Sequence, residues 1–125
     1  MSDNINQIKR ELESLGYETC LSGSAQGEVV SFSYIIETGS HKGKQVMLGI
    51  SMQGSEPYPE YPPHWIHASP PIDDGQGGVV KKYCDGSGRE WSALSRPPGD
   101  IWDQLPVKDM QAYLCEHLRR FWNGI

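Results

Sequence analysis

Residues 56–71 read EPYPEYPPHWIHASPP, and six of the chain's nine prolines fall in this stretch, interleaved with Tyr58, Tyr61 and Trp65. Proline has a fixed φ and no N–H to donate, so neither a helix interior nor a central strand runs through such a segment. A stiff aromatic stretch in mid-chain is either a linker between domains or a ledge braced against one. No repeat and no shift of composition marks a boundary on either side of it, and 125 residues suffice for one modest core but not two. The single-domain reading makes the stretch a ledge, and the fold is then decided by what it joins.

Upstream of it the periodicity is clear. Ile5, Ile8, Leu12 and Leu15 fall at helical spacing, Asp3 or Asn4 can cap the start, and Gly16 suits the left-handed position that ends a helix. In GEVVSFSYIIE, Val30, Phe32, Tyr34 and Ile36 alternate with Ser31 and Ser33, which predicts a strand with one wet side. TGSHKGK is a hairpin-type loop, and QVMLGISM alternates again through Val46, Leu48, Ile50 and Met52. Downstream, His64–Ala68 reads as a short third strand. From Ser69 to Trp102 no period survives, and a long irregular segment in a compact domain points to function. Met110, Tyr113, Leu114, His117, Leu118 and Phe121 then form a core-facing helical stripe, with Pro106 in the first turn, Arg119 and Arg120 near the end and Gly124 beyond it. The expected class is α+β: an N-terminal helix, an antiparallel meander of about four strands, a long active-site loop and a C-terminal helix crossing behind.

The charge excludes some partners. Sixteen acidic against 11 basic residues give −5, and no run of Lys or Arg exceeds two, which argues against nucleic acid. No apolar run has the length of a membrane span, and MSDNINQIKRELE lacks a signal-peptide pattern, so a cytoplasmic protein without a membrane partner is expected.

Three cysteines, Cys20, Cys84 and Cys115, are too few and too widely spaced for a disulfide framework, so reduced thiols are expected. Cys84 stands in KKYCDGSGREW, where Lys81 and Lys82 favour a thiolate, and is the candidate nucleophile. Cys20 and Cys115 read as small packing residues. His64 and His67 form an HxxH pair, but the prolines before them enforce an extended chain in which residues three apart diverge. No paired ligand spacing occurs, and neither a metal nor another cofactor is expected. No GxSxG elbow or phosphate-binding glycine loop occurs. Asp73-Asp74, followed by GQGG, reads as a solvated turn.

Tyr58-Pro59-Glu60-Tyr61-Pro62-Pro63 is similar to the YPxxPP stretch of the ubiquitin-conjugating (E2, UBC-like) superfamily. The interval from Pro62 to Cys84, and that from Cys84 to Trp91-Ser92, resemble that family's spacings to its active cysteine and to the Trp-Ser pair after it. Gly88-Arg89-x-Trp91, followed by Leu94-Ser95-Arg96, resembles the GRxWxxWSR pattern of bacterial E2-like families found in ubiquitin-like conjugation operons. The resemblance implies a UBC-like fold over the whole chain and a carrier that takes the C-terminus of a ubiquitin-like protein from an E1-like activating enzyme. Cys84 is the implied acceptor, with Ser92 or Ser95 as oxyester alternatives. The family's His-Pro-Asn tripeptide is replaced by PPIDDGQGG, and the only asparagines are Asn4, Asn6 and Asn123. Oxyanion and site support then fall to backbone N–H groups, His67 or Arg89, with Trp91 alongside. An alternative stays open: a non-catalytic adaptor that binds the ubiquitin-like protein, or a second E2-like subunit, through Tyr58, Tyr61 and Trp65. A third reading, an acidic immunity protein against a basic partner, rests on charge alone.

Overall fold

The computed structural model describes residues 3–53, 57–72 and 80–125. The pair Asp73-Asp74 and the GQGG run lie outside the described residues.

Helix α1, Asp3–Ser14, puts Ile5, Ile8 and Leu12 into the core, and Gly16 ends it at φ +99°. Leu15, expected on the same stripe, lies beyond the last turn and is exposed. Six strands follow: β1 Thr19–Ser24, β2 Gly27–Ile35, β3 Gln45–Ser51, β4 Trp65–Ser69, β5 Val80–Cys84 and β6 Glu90–Ser95. They form one antiparallel sheet in the order β1-β2-β3-β4-β6-β5. The strand number corrects the expected four. The segment 69–102 is no long irregular loop either, since it carries β5, β6 and a short helix α2, Asp100–Asp103. The physical reason lies in β6. Trp91, Ser92, Ala93 and Leu94 are all buried, so this strand is covered on both faces and shows no period of two.

One face of the sheet meets the helices. Across it run the rows Val30–Ile50–Ile66–Leu94 and Phe32–Leu48–Ala68–Ser92. The C-terminal helix joins them in one core with Met110, Tyr113, Leu114, Leu118, Phe121 and Trp122. That helix has an α-helical first turn, Met110–Ala112, a π-helical stretch, Tyr113–Leu118, and an α-helical end, Arg119–Asn123. It starts later than Pro106 suggested, because Asp109 is the cap: its carboxylate accepts the Ala112 N–H at 2.9 Å. The far end of this helix is received by the β2–β3 loop. Thr38 Oγ1 donates to the Arg119 carbonyl at 2.8 Å, Glu37 pairs with Arg119 at 3.2 Å, and Gly39 fits against Trp122 at φ +83°.

The second face of the sheet is drier than the serines of β2 implied. Ser33 is exposed, but Val29, Ser31, Ser51, His67 and Ser69 are all buried on it. The reason is curl. Cys20 and Ser22 of β1 line one cavity with Asp85, Ser87 and Arg89 of the β5–β6 turn, although β1 and β5 are the two margins of the sheet.

The proline stretch is a ledge seated by helices. The Tyr58 N–H donates to Asn4 Oδ1 at 2.9 Å, so Asn4 holds the ledge, and the Tyr58 hydroxyl donates to Glu11 Oε1 at 2.6 Å. Trp102 of α2 donates its indole N–H to the Pro59 carbonyl at 3.0 Å. Among the described residues, no helix is long and apolar enough to cross a membrane.

Candidate functional site

Cys84 ends β5 and is exposed. Directly after it the chain reverses through Asp85–Arg89, and a single carboxylate shapes that turn. Asp85 Oδ1 accepts from the Ser87 N–H at 2.8 Å, the Ser87 hydroxyl at 2.6 Å and the Arg89 N–H at 3.1 Å. Its Oδ2 accepts from the Trp91 indole N–H at 2.7 Å. Hydrogen bonds from Ser87 and Trp91 hold the Asp85 carboxyl well below the usual carboxylate range. Gly88, at φ +87°, allows the turn to close. Cys84 thus precedes a rigid five-residue reversal.

The thiol lines a depression of about 250 Å³ with Pro71, Lys82, Tyr83, Glu90 and Trp91. Tyr83 and Trp91 stack at 9° with centroids 6.5 Å apart, but their rings lie on the face of the sheet opposite to Cys84, which shares its own face with Lys82 and Glu90. Lys82 lies on the Cys84 side of β5, whereas Lys81, opposite Ala93, belongs to the other face. The arrangement offers an exposed thiol and one ammonium to an approaching carbonyl.

The other expected site residues separate into distinct places. Trp91 is one pair from Cys84 in the β5–β6 ladder, but its side chain takes the opposite face and its N–H is committed to Asp85. Arg89 is exposed and lines the cavity beside β1. His67 is fully buried on the second face, between Gly49 and Ala93, and its ring nitrogens meet Ser51 Oγ at 2.8 Å and the Tyr83 hydroxyl at 2.7 Å. With both nitrogens engaged, its ring supports the sheet and does not face an oxyanion beside Cys84. Ser92 is buried with its Oγ accepting the Ile72 N–H at 2.9 Å, which gives it a structural duty. Of the expected contact aromatics, Tyr61 is exposed, Trp65 is half-buried, and Tyr58 lies in the core behind its Glu11 bond. Cys20 and Cys115, read as packing residues, are both exposed, Cys20 on the marginal strand β1 and Cys115 on the outer side of its helix.

One pairing had no counterpart in the sequence. The ring of His64 places Nε2 2.5 Å from Ser95 Oγ, and both residues are half-buried. The two are 31 positions apart, and the Trp65–Ser95 pairing of β4 with β6 brings them together. This is a serine with a base in contact, the element that a serine nucleophile needs. His64 and His67 do not share a ligand. Among the described residues, no three His, Cys, Asp or Glu side chains gather as a metal cluster.

Burial lowers the His67 pKa from 6.5 to about 4. Between these values the unfolded chain binds a proton that the folded chain refuses. The stability due to neutral His67 is therefore complete above about pH 6.5 and is lost as pH falls to 4, by about 3 kcal/mol. Urea denaturation at pH 7 and pH 4.5 should show this loss in the parent, and a smaller one in His67→Gln. Equal losses in the two proteins would remove His67 from the account.

No family model, no curated protein and no solved structure matches this chain.

Proposed function

We propose that the protein is an E2-like carrier in a bacterial ubiquitin-like conjugation pathway, with Cys84 as the acyl acceptor. The observation that carries this reading is an exposed thiol, next to a turn fixed by Asp85, in an open depression shared with Pro71, Lys82 and Glu90. An N-terminal helix, an antiparallel sheet, a seated YPxxPP ledge and a C-terminal helix support it as scaffold.

Chemically, Cys84 Sγ as thiolate attacks the thioester carbonyl at the C-terminus of the ubiquitin-like protein held by an E1-like enzyme. The new C–S bond forms, the old one breaks, and the activating enzyme's thiolate leaves. A target amine then attacks the same carbonyl, an amide C–N bond forms, the Cys84 thiolate departs, and the amine's proton passes to solvent. A thiolate both attacks and leaves readily, which suits a relay. In place of an asparagine, the backbone donor of the turn is the Gly86 N–H, since those of Asp85, Ser87, Gly88 and Arg89 are engaged within the turn and the Arg89 side chain lines the cavity beside β1.

Incubation with the cognate activating enzyme, ATP and ubiquitin-like protein should give a one-to-one adduct that thiol reductant releases. Cys84→Ala should lower adduct formation by about a thousandfold or more. An adduct that survives reductant, persists in Cys84→Ala and disappears in Ser95→Ala would transfer the role to Ser95, with His64 as its base. That second reading is favoured by the 2.5 Å contact between them. If no adduct forms and Cys84→Ala leaves pathway activity intact, the carrier reading is withdrawn in favour of an adaptor that docks through Tyr61 and Trp65.

A further inference from the structure

A cleft of about 180 Å³ opens between the end of α1, strand β2 and the C-terminal helix. Leu15 and Leu114 are its apolar wall, and its polar lining comes from Tyr17, Tyr34, Gln111 and Cys115. The π-helical stretch Tyr113–Leu118 supplies Leu114 and Cys115, and such irregular turns recur at functional sites. The cleft shares no lining residue with the Cys84 depression.

Two hydroxyls here have no use inside the protein. Tyr34 is 3% exposed, yet its hydroxyl makes no hydrogen bond among the described residues. A secluded hydroxyl left without a partner is costly, and folded proteins rarely keep one idle. Tyr17 is half-buried, and its hydroxyl makes no such bond either. Both rings are set by Phe32, with centroids 4.9 Å from it for Tyr17 and 6.3 Å for Tyr34, so the hydroxyls are ordered before any ligand arrives. Glu37, Tyr17 and Cys115 are all electrostatic neighbours of the Tyr34 hydroxyl, which places these groups together at the cleft. Burial first, and then the Glu37 carboxylate, raise both phenol pKa values, that of Tyr34 to about 12, so both remain donors at neutral pH. Glu37, the charged side chain of the lining, is exposed and is met by Arg119 at 3.2 Å. The lining therefore selects for hydrogen bonding and shape, not for charge.

We propose that this cleft binds a small uncharged carboxamide carried on a single apolar ring. The two phenol O–H groups donate to its carbonyl oxygen, the Gln111 side-chain carbonyl accepts from its nitrogen, and Leu15 and Leu114 cover the ring. The volume is close to that of a cavity that takes one benzene molecule. This inference is independent of the carrier reading.

The exposed thiols make the test, since Cys115 lines the cleft while Cys20 and Cys84 stand elsewhere. The full chain is treated with methyl methanethiosulfonate, and each cysteine is followed by mass spectrometry. Benzamide should slow the reaction of Cys115 saturably, with millimolar affinity, and leave the other two rates unchanged. NMR signals of Leu114 should move with the same midpoint. Acetamide, benzoate and benzylamine should each bind at least about fivefold more weakly, because the first lacks the ring and the others exchange a neutral head for a charge. Tyr17→Phe and Tyr34→Phe should each weaken benzamide by about threefold or more. Each deletes a hydroxyl that no described residue uses, so the fold keeps its contacts. Absence of both signals up to about 50 mM benzamide, equal slowing of all three thiols, tighter binding of benzoate or benzylamine, or undiminished binding by the Tyr17→Phe/Tyr34→Phe double variant overturns the proposal.

Discussion

Gly39→Ala is expected to detach the end of the C-terminal helix and to destabilise the protein by about 3–4 kcal/mol. A Cβ at this position would stand 2.1 Å from the Trp122 carbonyl oxygen, 2.9 Å from its carbon and 3.1 Å from the Asn123 Cα. All three are backbone atoms, so no side-chain rotation relieves the overlap. The glycine also sits at φ +83°, where an L residue is strained by roughly 1–2 kcal/mol before any contact is counted. The helix end must therefore retreat, and Trp122, 1% exposed, must retreat with it. Thermal unfolding should show a loss of roughly 10 °C or more, with increased Trp122 exposure. Ser40→Ala, one residue on, is the control, because it removes only a surface hydrogen bond to the Ile125 carbonyl. A Gly39→Ala protein that melts within about 2 °C of the parent would falsify this docking.

Replacing Glu11 by Ala should cost about 3 kcal/mol, for a different reason. Its carboxylate joins three elements: Oε1 accepts both the Tyr58 hydroxyl at 2.6 Å and the Met110 N–H at 2.9 Å, and Oε2 accepts Gln7 Nε2 at 3.0 Å. Tyr58 and Met110 are 4% and 0% exposed, so removing the acceptor leaves two buried donors without water. Burial first, and then this bond, push the Tyr58 hydroxyl pKa far above its usual value, which keeps it a donor. Glu11→Gln keeps an oxygen in place and should recover about half of the loss. Chemical denaturation of Glu11→Ala, Tyr58→Phe and the double variant measures the coupling. Strict additivity of the two changes would show that the proline ledge is not fastened through this carboxylate.

What could be read from the chain and what could not follow from range. The stripe of α1, the alternation of β2 and β3 and the stripe of the C-terminal helix are local patterns, each written within about a dozen residues. The choice of Cys84 as candidate nucleophile was local too, since Lys81, Lys82 and the Asp-Gly-Ser-Gly run surround it in sequence. β5 and β6 escaped because a marginal strand bearing two lysines and a strand buried on both faces lack the two-residue rhythm. Tyr58 looked like a contact residue because the acceptor that draws it inside lies 47 positions earlier. The His64–Ser95 pair and the duties of His67 and Ser92 depend on which strands become neighbours, and no single segment records that.

The buried chain Ser51–His67–Tyr83 has a bearing on how the sheet assembles. It links β3, β4 and β5, passing over β6 where Ala93 leaves room. Sliding β4 by one position would swing the imidazole into hydrocarbon and leave two hydroxyls facing an isoleucine or an alanine. Misaligned strand arrangements are thereby penalised even while their backbone ladders remain complete. A histidine resembling part of a catalytic relay acts here as a proofreader of alignment, admitting one frame among several that oily contacts alone would tolerate.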